Sequence, residues 1–342
     1  MEDFIHTLNA VIWSPALVAF CLGAGLFFSI KSRFVQLRLI PEMWRLLFQK
    51  KEDEIGLSSF QALSLTLAGR VGTGNIAGVA TAICFGGPGA LFWMWVVAFL
   101  GASSAFVEST LGQIYKERIE GQYRGGPAFY IERGLKLKAY AWAFAIVTIL
   151  ASCFFCPGVQ SNSIALAWNE AFGLDAEVTA AIVASITCFV IVGGLRRIAT
   201  FTSWVVPFMA QAYIVVALII VGVNWEQIPA VMTLIVNSAF GFDSLTGGML
   251  GAAIAWGVKR GIYSNEAGQG TGPHASSAAA VSHPAKQGLV QAFSVYIDTL
   301  FVCSATGFMI LMTGCYNMQA PDGSMIFEGL KGVEAGPVSV SY

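Results

Sequence analysis

Eight stretches of this chain stay apolar for about twenty residues or more, and no other feature limits its fold so strongly. They cover roughly 9–30, 60–85, 89–115, 139–168, 176–195, 201–223, a glycine-rich stretch 245–280, and 287–313. A bilayer core about 30 Å thick takes roughly twenty apolar residues per helix. Hydrocarbon also offers no partner to an unsatisfied peptide group, so each stretch must satisfy its own backbone as a helix. The chain therefore reads as an all-α integral membrane protein. Composition agrees: charged residues make up 11%, against roughly 25% in ordinary soluble domains. Mean hydropathy is +0.68. A net charge of −1 gives no basic surface for nucleic acid. Six of the seven cysteines fall in apolar stretches, so the Cys153–Cys156 pair reads as packing rather than redox chemistry. The N-terminus carries Glu2 and Asp3, and the first apolar run is long enough to span, so no cleavable signal peptide is expected.

Basic residues fix the alternation. With the N-terminus outside, the connections after the first, third and fifth spans and before the eighth fall on one side. They hold fifteen of the nineteen Lys and Arg, from Lys31 through Lys286. Lys331 alone falls on the other side, and Arg70, Lys259 and Arg260 lie in or beside spans. So uneven a division is what the positive-inside rule expects, and it assigns the large basic loops to the cytoplasm of a plasma-membrane protein. Two Gly-Gly-Pro turns begin new helices: "FGGPGALF" ahead of the third span and "YRGGPAFYIERGL" in a basic loop. The second predicts a short amphipathic helix on the membrane surface.

Residues 67–83, "LAGRVGTGNIAGVATAI", put an arginine, four glycines and an asparagine inside a span. Each glycine costs a helix about 1 kcal/mol relative to alanine. One reading is close packing through the Gly74/Gly78 GxxxG pair. The other is a discontinuous helix whose freed carbonyls suit a hard cation and whose freed N–H groups suit a carboxylate. The loose G-x-G-x-x-x-G match is not a nucleotide fingerprint, because an apolar helix-like stretch, not a strand, precedes it. A second interrupted span reads "AIAWGVKRGIYSNEAGQGTGPH". Broken spans at corresponding places point to an inverted-repeat transporter with its site at the midplane. That predicts a single transporter domain over 1–342: an extra helix 9–30, a five-helix repeat 60–223, and part of a second repeat 245–342.

The blocks "GRVGTGNIAGVATAI", "GGPGALFWMW", "YRGGPAFYI", "GVQSNSIA" and "GVKRGIYSNEAGQGTGP" resemble those of the alanine/glycine:cation symporters, in the same order and over nearly the whole chain. The resemblance implies a leucine-transporter-type inverted-repeat fold with two discontinuous helices. It implies about eleven spans, of which the eight here would be part of a chain truncated at its C-terminus. It further implies symport of Na⁺, with H⁺ as the other candidate ion, and a small neutral amino acid, alanine or glycine. Nucleic acid and an obligatory protein partner are not expected. An ion channel or a membrane-embedded enzyme is the rival reading. The first lacks a symmetric ring, and the second lacks a convincing nucleophile–base pair or ligand set in the spans.

The resemblance also assigns roles. N–H groups of Thr73 and Gly74 would meet the substrate carboxylate, and carbonyls of Ala68 and Val71 would face sodium. Asn75 would serve ion or substrate, or cap the second half-helix, or both. Gln160 would face the substrate or bond between helices, with Gly158 leaving room beside it. Tyr263, and less directly Trp256, would wall the substrate side chain or merely pack. Glu266 buried alone would cost about 2.5–3.5 kcal/mol, so it should pair, with Lys259 or Arg260 as partner, in a structural or gating cluster. Arg70 should pair with an acid. Asp298 should approach the ion or hold a broken helix.

Overall fold

The computed structural model describes residues 7–9, 11–49, 51–242, 249–320 and 323–329. Expectations that fall on Glu2, Asp3, Lys50, Lys331, the opening residues 245–248 of the seventh stretch and the tail 330–342 lie outside those residues.

The first apolar stretch turns at Trp13–Ser14 before helix α1, Pro15–Lys31, whose proline sits where a missing N–H costs nothing. Two short helices follow, α2 (Val35–Arg38) and α3 (Ile40–Leu47). Helix α4, Ser59–Arg70, starts from a capping box: Ser58 Oγ accepts from the Gln61 N–H at 3.1 Å, and Gln61 Oε1 accepts from the Ser58 N–H at 3.0 Å. After a break the chain resumes as α5, Gly74–Gly86. Gly87, at φ 71°, and Pro88 then turn it into α6, Gly89–Ile114. The basic loop forms an antiparallel hairpin, β1 (Glu117–Ile119) with β2 (Gln122–Arg124), and then the expected short helix α7, Pro127–Gly134.

Next come α8 (Lys138–Phe172, with a π turn at Ala151–Phe155), α9 (Ala176–Ile191), α10 (Gly194–Val223) and α11 (Ile228–Phe240). The second interrupted span gives α12 (Leu250–Asn265) and α13 (Gly272–Ser277). Helix α14, Pro284–Thr313, carries a π segment at Tyr296–Cys303. Strands β3 (Asn317–Gln319) and β4 (Met325–Glu328) pair antiparallel.

Among the described residues, α6, α8, α10 and α14 are long and apolar enough to cross a membrane, and α1, α5 and α9 are shorter apolar helices. Large apolar side chains on α8, α9 and α10, including Phe155, Phe189 and Phe208, point outward. Surface that water would penalise is at home in lipid, so this is a multi-pass membrane protein. Helix α11 departs from the sequence reading, which leaves 224–244 as a connection. Its thirteen residues rise about 20 Å, short of a span.

Helix α6 is the central post. One core cluster joins Leu63 and Leu67 of α4 to Ala98, Ala102 and Ala105 of α6 and Val290 and Val295 of α14. A second joins Val79 and Ile83 of α5 to Leu91 and Met94 of α6, Ile235 of α11 and Leu311 of α14. Both halves of the first broken helix are thus held between two continuous ones.

The connections gather at two ends. At one, the Leu57 N–H donates to the Ala278 carbonyl and the Leu57 carbonyl accepts from the Ala280 N–H, both at 2.9 Å, Arg196 Nη2 donates to the Glu54 carbonyl at 3.2 Å, and Lys116 Nζ donates to the Ala279 carbonyl at 2.7 Å. These are the segments the charge count puts on one side. At the other, the Gly89 N–H donates to Ser238 Oγ at 3.0 Å and Trp93 Nε1 to the Ala239 carbonyl at 3.1 Å.

Candidate functional site

The first helix breaks where the glycines and Arg70 interrupt the apolar run. Val71 is extended, with φ −78° and ψ 101°. The Gly72 N–H donates to Asn75 Oδ1 at 2.8 Å and the Thr73 N–H to Gln160 Oε1 at 3.2 Å. Neither continues the ladder toward the carbonyls of Ala68 and Gly69 four residues back. The chain re-enters helix through a π turn, Gly74–Gly78, a widening frequent at functional sites. The second helix breaks at Glu266, which is left-handed at φ 52°, and passes Gly268 and Gly270 at φ 85° and 88° before α13. Glycine adopts such angles freely; for Glu266 they cost about 1–3 kcal/mol.

The two breaks meet at a buried polar node. Asn75 Nδ2 lies 2.7 Å from Asp298 Oδ1 and 3.1 Å from Ser264 Oγ, with Cys303 Sγ at 3.2 Å. Ser264 and Thr299 hydroxyls donate to Asp298 Oδ2 at 2.9 and 2.8 Å. Asn265 Nδ2 donates to Thr299 Oγ1 at 3.3 Å. Asn75, Ser264, Asn265, Asp298 and Thr299 are all fully or almost fully buried. The π segment of α14 contains both Asp298 and Thr299. Asn75 therefore caps the first break with its oxygen and reaches α12 and α14 with its nitrogen.

Charge surrounds the node. Arg70 is buried and gives Nη1 to Ser294 Oγ and to the Gln291 carbonyl. Its Nε and Nη2 have no hydrogen-bond partner among the described residues. Glu266, Glu108 and Asp298 are the acids whose charge acts on it. Each acid is engaged elsewhere: Glu266 Oε2 accepts from the Thr271 hydroxyl at 2.6 Å, and Glu108 accepts from Gly268 and Gly270 N–H groups at 3.2 and 3.1 Å. Lys259 and Arg260, the partners expected for Glu266, lie over the Trp256 ring at 4.8 and 5.4 Å.

The remaining candidates divide. A Cβ on Gly74 would sit 3.4 Å from the Tyr263 ring, and one on Gly72 would sit 3.1 Å from Gln160 Oε1. Tyr263 and Gln160 thus flank the first break. Trp256 stacks on Phe85 at 5.0 Å, away from these contacts. Gly158 has open space beside it, Ala68 is exposed, and Val71 is half-buried. Sequence reasoning did not single out Thr299, Cys303, Ser294 or Gln291. Their one signal is polarity within an apolar stretch, as in the adjacent acid and hydroxyl of "YIDTLFV".

The family described as the sodium:alanine symporter family matches residues 1–335. YrbD of Bacillus subtilis, provisionally named a sodium/proton-dependent alanine carrier protein, is 62% identical over 98% of this chain and 70% of its own length. A sodium/proton-dependent alanine carrier protein of Bacillus sp. strain PS3 is 49% identical over 86% of this chain and 66% of its own length. GlnT of B. subtilis, provisionally named a sodium/glutamine symporter, is 43% identical over 94% of this chain and 68% of its own length. These relatives are carriers and symporters, not enzymes. A match that begins at residue 1 and runs to residue 335 decides the matter: the chain belongs to the sodium:alanine symporter family.

Proposed function

We propose that this protein is a secondary active symporter that couples inward movement of Na⁺ to uptake of a small neutral amino acid, alanine or glycine. One observation carries the reading: two interrupted helices meet at a buried node of oxygen and amide groups, beside a freed Thr73 N–H that already holds a carbonyl-type oxygen. The oxygen of Gln160 stands where a substrate carboxylate oxygen would bind. Hard oxygens of Asp298, Ser264 and Thr299 suit a small cation, and the carbonyls of Ala68 and Val71 offer a second seat. The Tyr263 ring close to Gly74 favours a short side chain over that of glutamine. The architecture that supports this use is an inverted repeat of the leucine-transporter type, over 60–223 and 245–342, with the chain start outside.

Uptake of radiolabelled alanine into proteoliposomes tests it. Saturable uptake should require an inward Na⁺ gradient and be competed by excess glycine but not by glutamine. Uptake driven equally by a pH gradient without Na⁺ would make H⁺ the coupling ion. An ion current without alanine would make the protein a channel.

A further inference from the structure

The buried carboxylate of Glu108 belongs neither to the polar node nor to the first break. It sits on α6, which is unbroken, yet both its oxygens are spent on the second break: Oε1 accepts from Gly268 N–H at 3.2 Å and Oε2 from Gly270 N–H at 3.1 Å. Those glycines hold φ values of 85° and 88°, so alternate N–H groups converge on one anion. The residue is only 7% exposed. A buried carboxylate is costly unless its lone pairs are matched. Here two N–H donors and the nearby Arg70 charge offset part of that cost. Arg70 and Glu108 also approach one point beside this stretch: a Cβ on Gly272 would lie 3.2 Å from Arg70 Nη2 and 3.6 Å from Glu108 Oε1.

We infer that Glu108 is a positioning residue that holds the unwound stretch of the second broken helix in its binding-competent shape by taking its freed N–H groups. The inference rests on the symport reading for its transport test. Helix α12 supplies Tyr263 and Ser264 immediately before this stretch, and α6 packs along both α4 and α14. A clamp from the continuous helix therefore sets where the second break presents its share of the site. Without it, conformations that do not bind compete, and the apparent affinity falls by the fraction of competent molecules. Na⁺ and alanine draw on the same competent state, so both half-saturation values must rise by one common factor.

Glu108→Gln tests this, because the amide keeps the size but offers one acceptor where two are used. Loss of a hydrogen bond to a charged group predicts a common rise of roughly tenfold in the half-saturation concentrations of Na⁺ and alanine, with the saturating rate per inserted molecule kept. Glu108→Asp, which keeps the anion, should raise both values less. Hydrogen–deuterium exchange should accelerate over 266–271 in Glu108→Gln while 89–114 stays protected. Unchanged half-saturation values overturn the clamp, as does a saturating rate per inserted molecule that falls while both half-saturation values stay put. So does unchanged exchange at 266–271. If the unaltered protein takes up no alanine, the symport reading fails, and the exchange comparison still decides on the clamp.

Discussion

Asn75 answers two needs with one amide. Its oxygen satisfies the Gly72 N–H that the broken helix leaves free, and its nitrogen reaches Asp298 and Ser264. Asn75→Ala would leave the Gly72 N–H without its acceptor and remove a donor from the carboxylate, each at about 1–3 kcal/mol. The expected outcome is loss of sodium-coupled alanine uptake with normal membrane insertion; coupled transport at the native rate would remove Asn75 from the site. Asp298→Asn separates the two cation seats. If the carboxylate helps hold the ion, half-saturation by Na⁺ rises at least tenfold while alanine affinity at saturating Na⁺ changes little. If only the carbonyls near the first break do so, the Na⁺ curve stays put. The sequence marks Asn75 and Asp298 as polar groups in apolar surroundings, but not that they touch. They are 223 residues apart, and only the packed fold brings them together.

The elements show which breaks a sequence can announce. Glycines and an asparagine inside one apolar stretch weaken a helix, and an arginine there demands polar company, so together they foretell the interruption at Val71–Thr73. Helix α11 gives no comparable signal, since a thirteen-residue helix fails the length test for a span. The π segment of α14 is equally silent, because it holds no glycine or proline and lies inside an apolar stretch. Close helix approach is testable. A Cβ on Gly257 of α12 would stand 2.6 Å from the Ala90 carbonyl oxygen of α6. Backbone must yield there, so Gly257→Ala should destabilise by about 1–3 kcal/mol. A melting curve in detergent should shift downward; an unmoved curve would mean that α12 and α6 are not so close. The basic end offers a pH test. Lys116 donates to the Ala279 carbonyl and faces the Tyr123 ring at 4.1 Å. Burial pushes its ammonium from 10.5 down to about 8, against the opposing pull of Asp53. Between those values the unfolded chain holds a proton that the native protein has shed, so stability rises with pH across that window. Melting temperature should climb from pH 8 toward 10 relative to Lys116→Met, in which this contribution is absent.

At the scale of the whole molecule, the two breaks share one buried node, and their adjacency bears on energy conversion. Under the proposed symport, an ion and a zwitterion seated side by side would each lower the electrostatic cost of the other, so that the occupied carrier would cross with both or with neither. One Na⁺ moving inward through about 100 mV releases about 2.3 kcal/mol. A roughly tenfold Na⁺ gradient adds about 1.4 kcal/mol. The sum, about 3.7 kcal/mol, sustains an alanine gradient of roughly 500-fold for one ion per substrate. Two ions would square that ratio, and an uncoupled carrier would stop at unity. Proteoliposomes with both gradients clamped should therefore accumulate alanine until the ratio approaches the one-ion limit. A sodium ionophore added at the plateau should discharge it. The ratio should also change about tenfold for each 60 mV of imposed potential, because one net charge moves with each alanine. A plateau that ignored the imposed potential would show that the site moves no net charge, and the pairing of cation with zwitterion at these two broken helices would have to be abandoned.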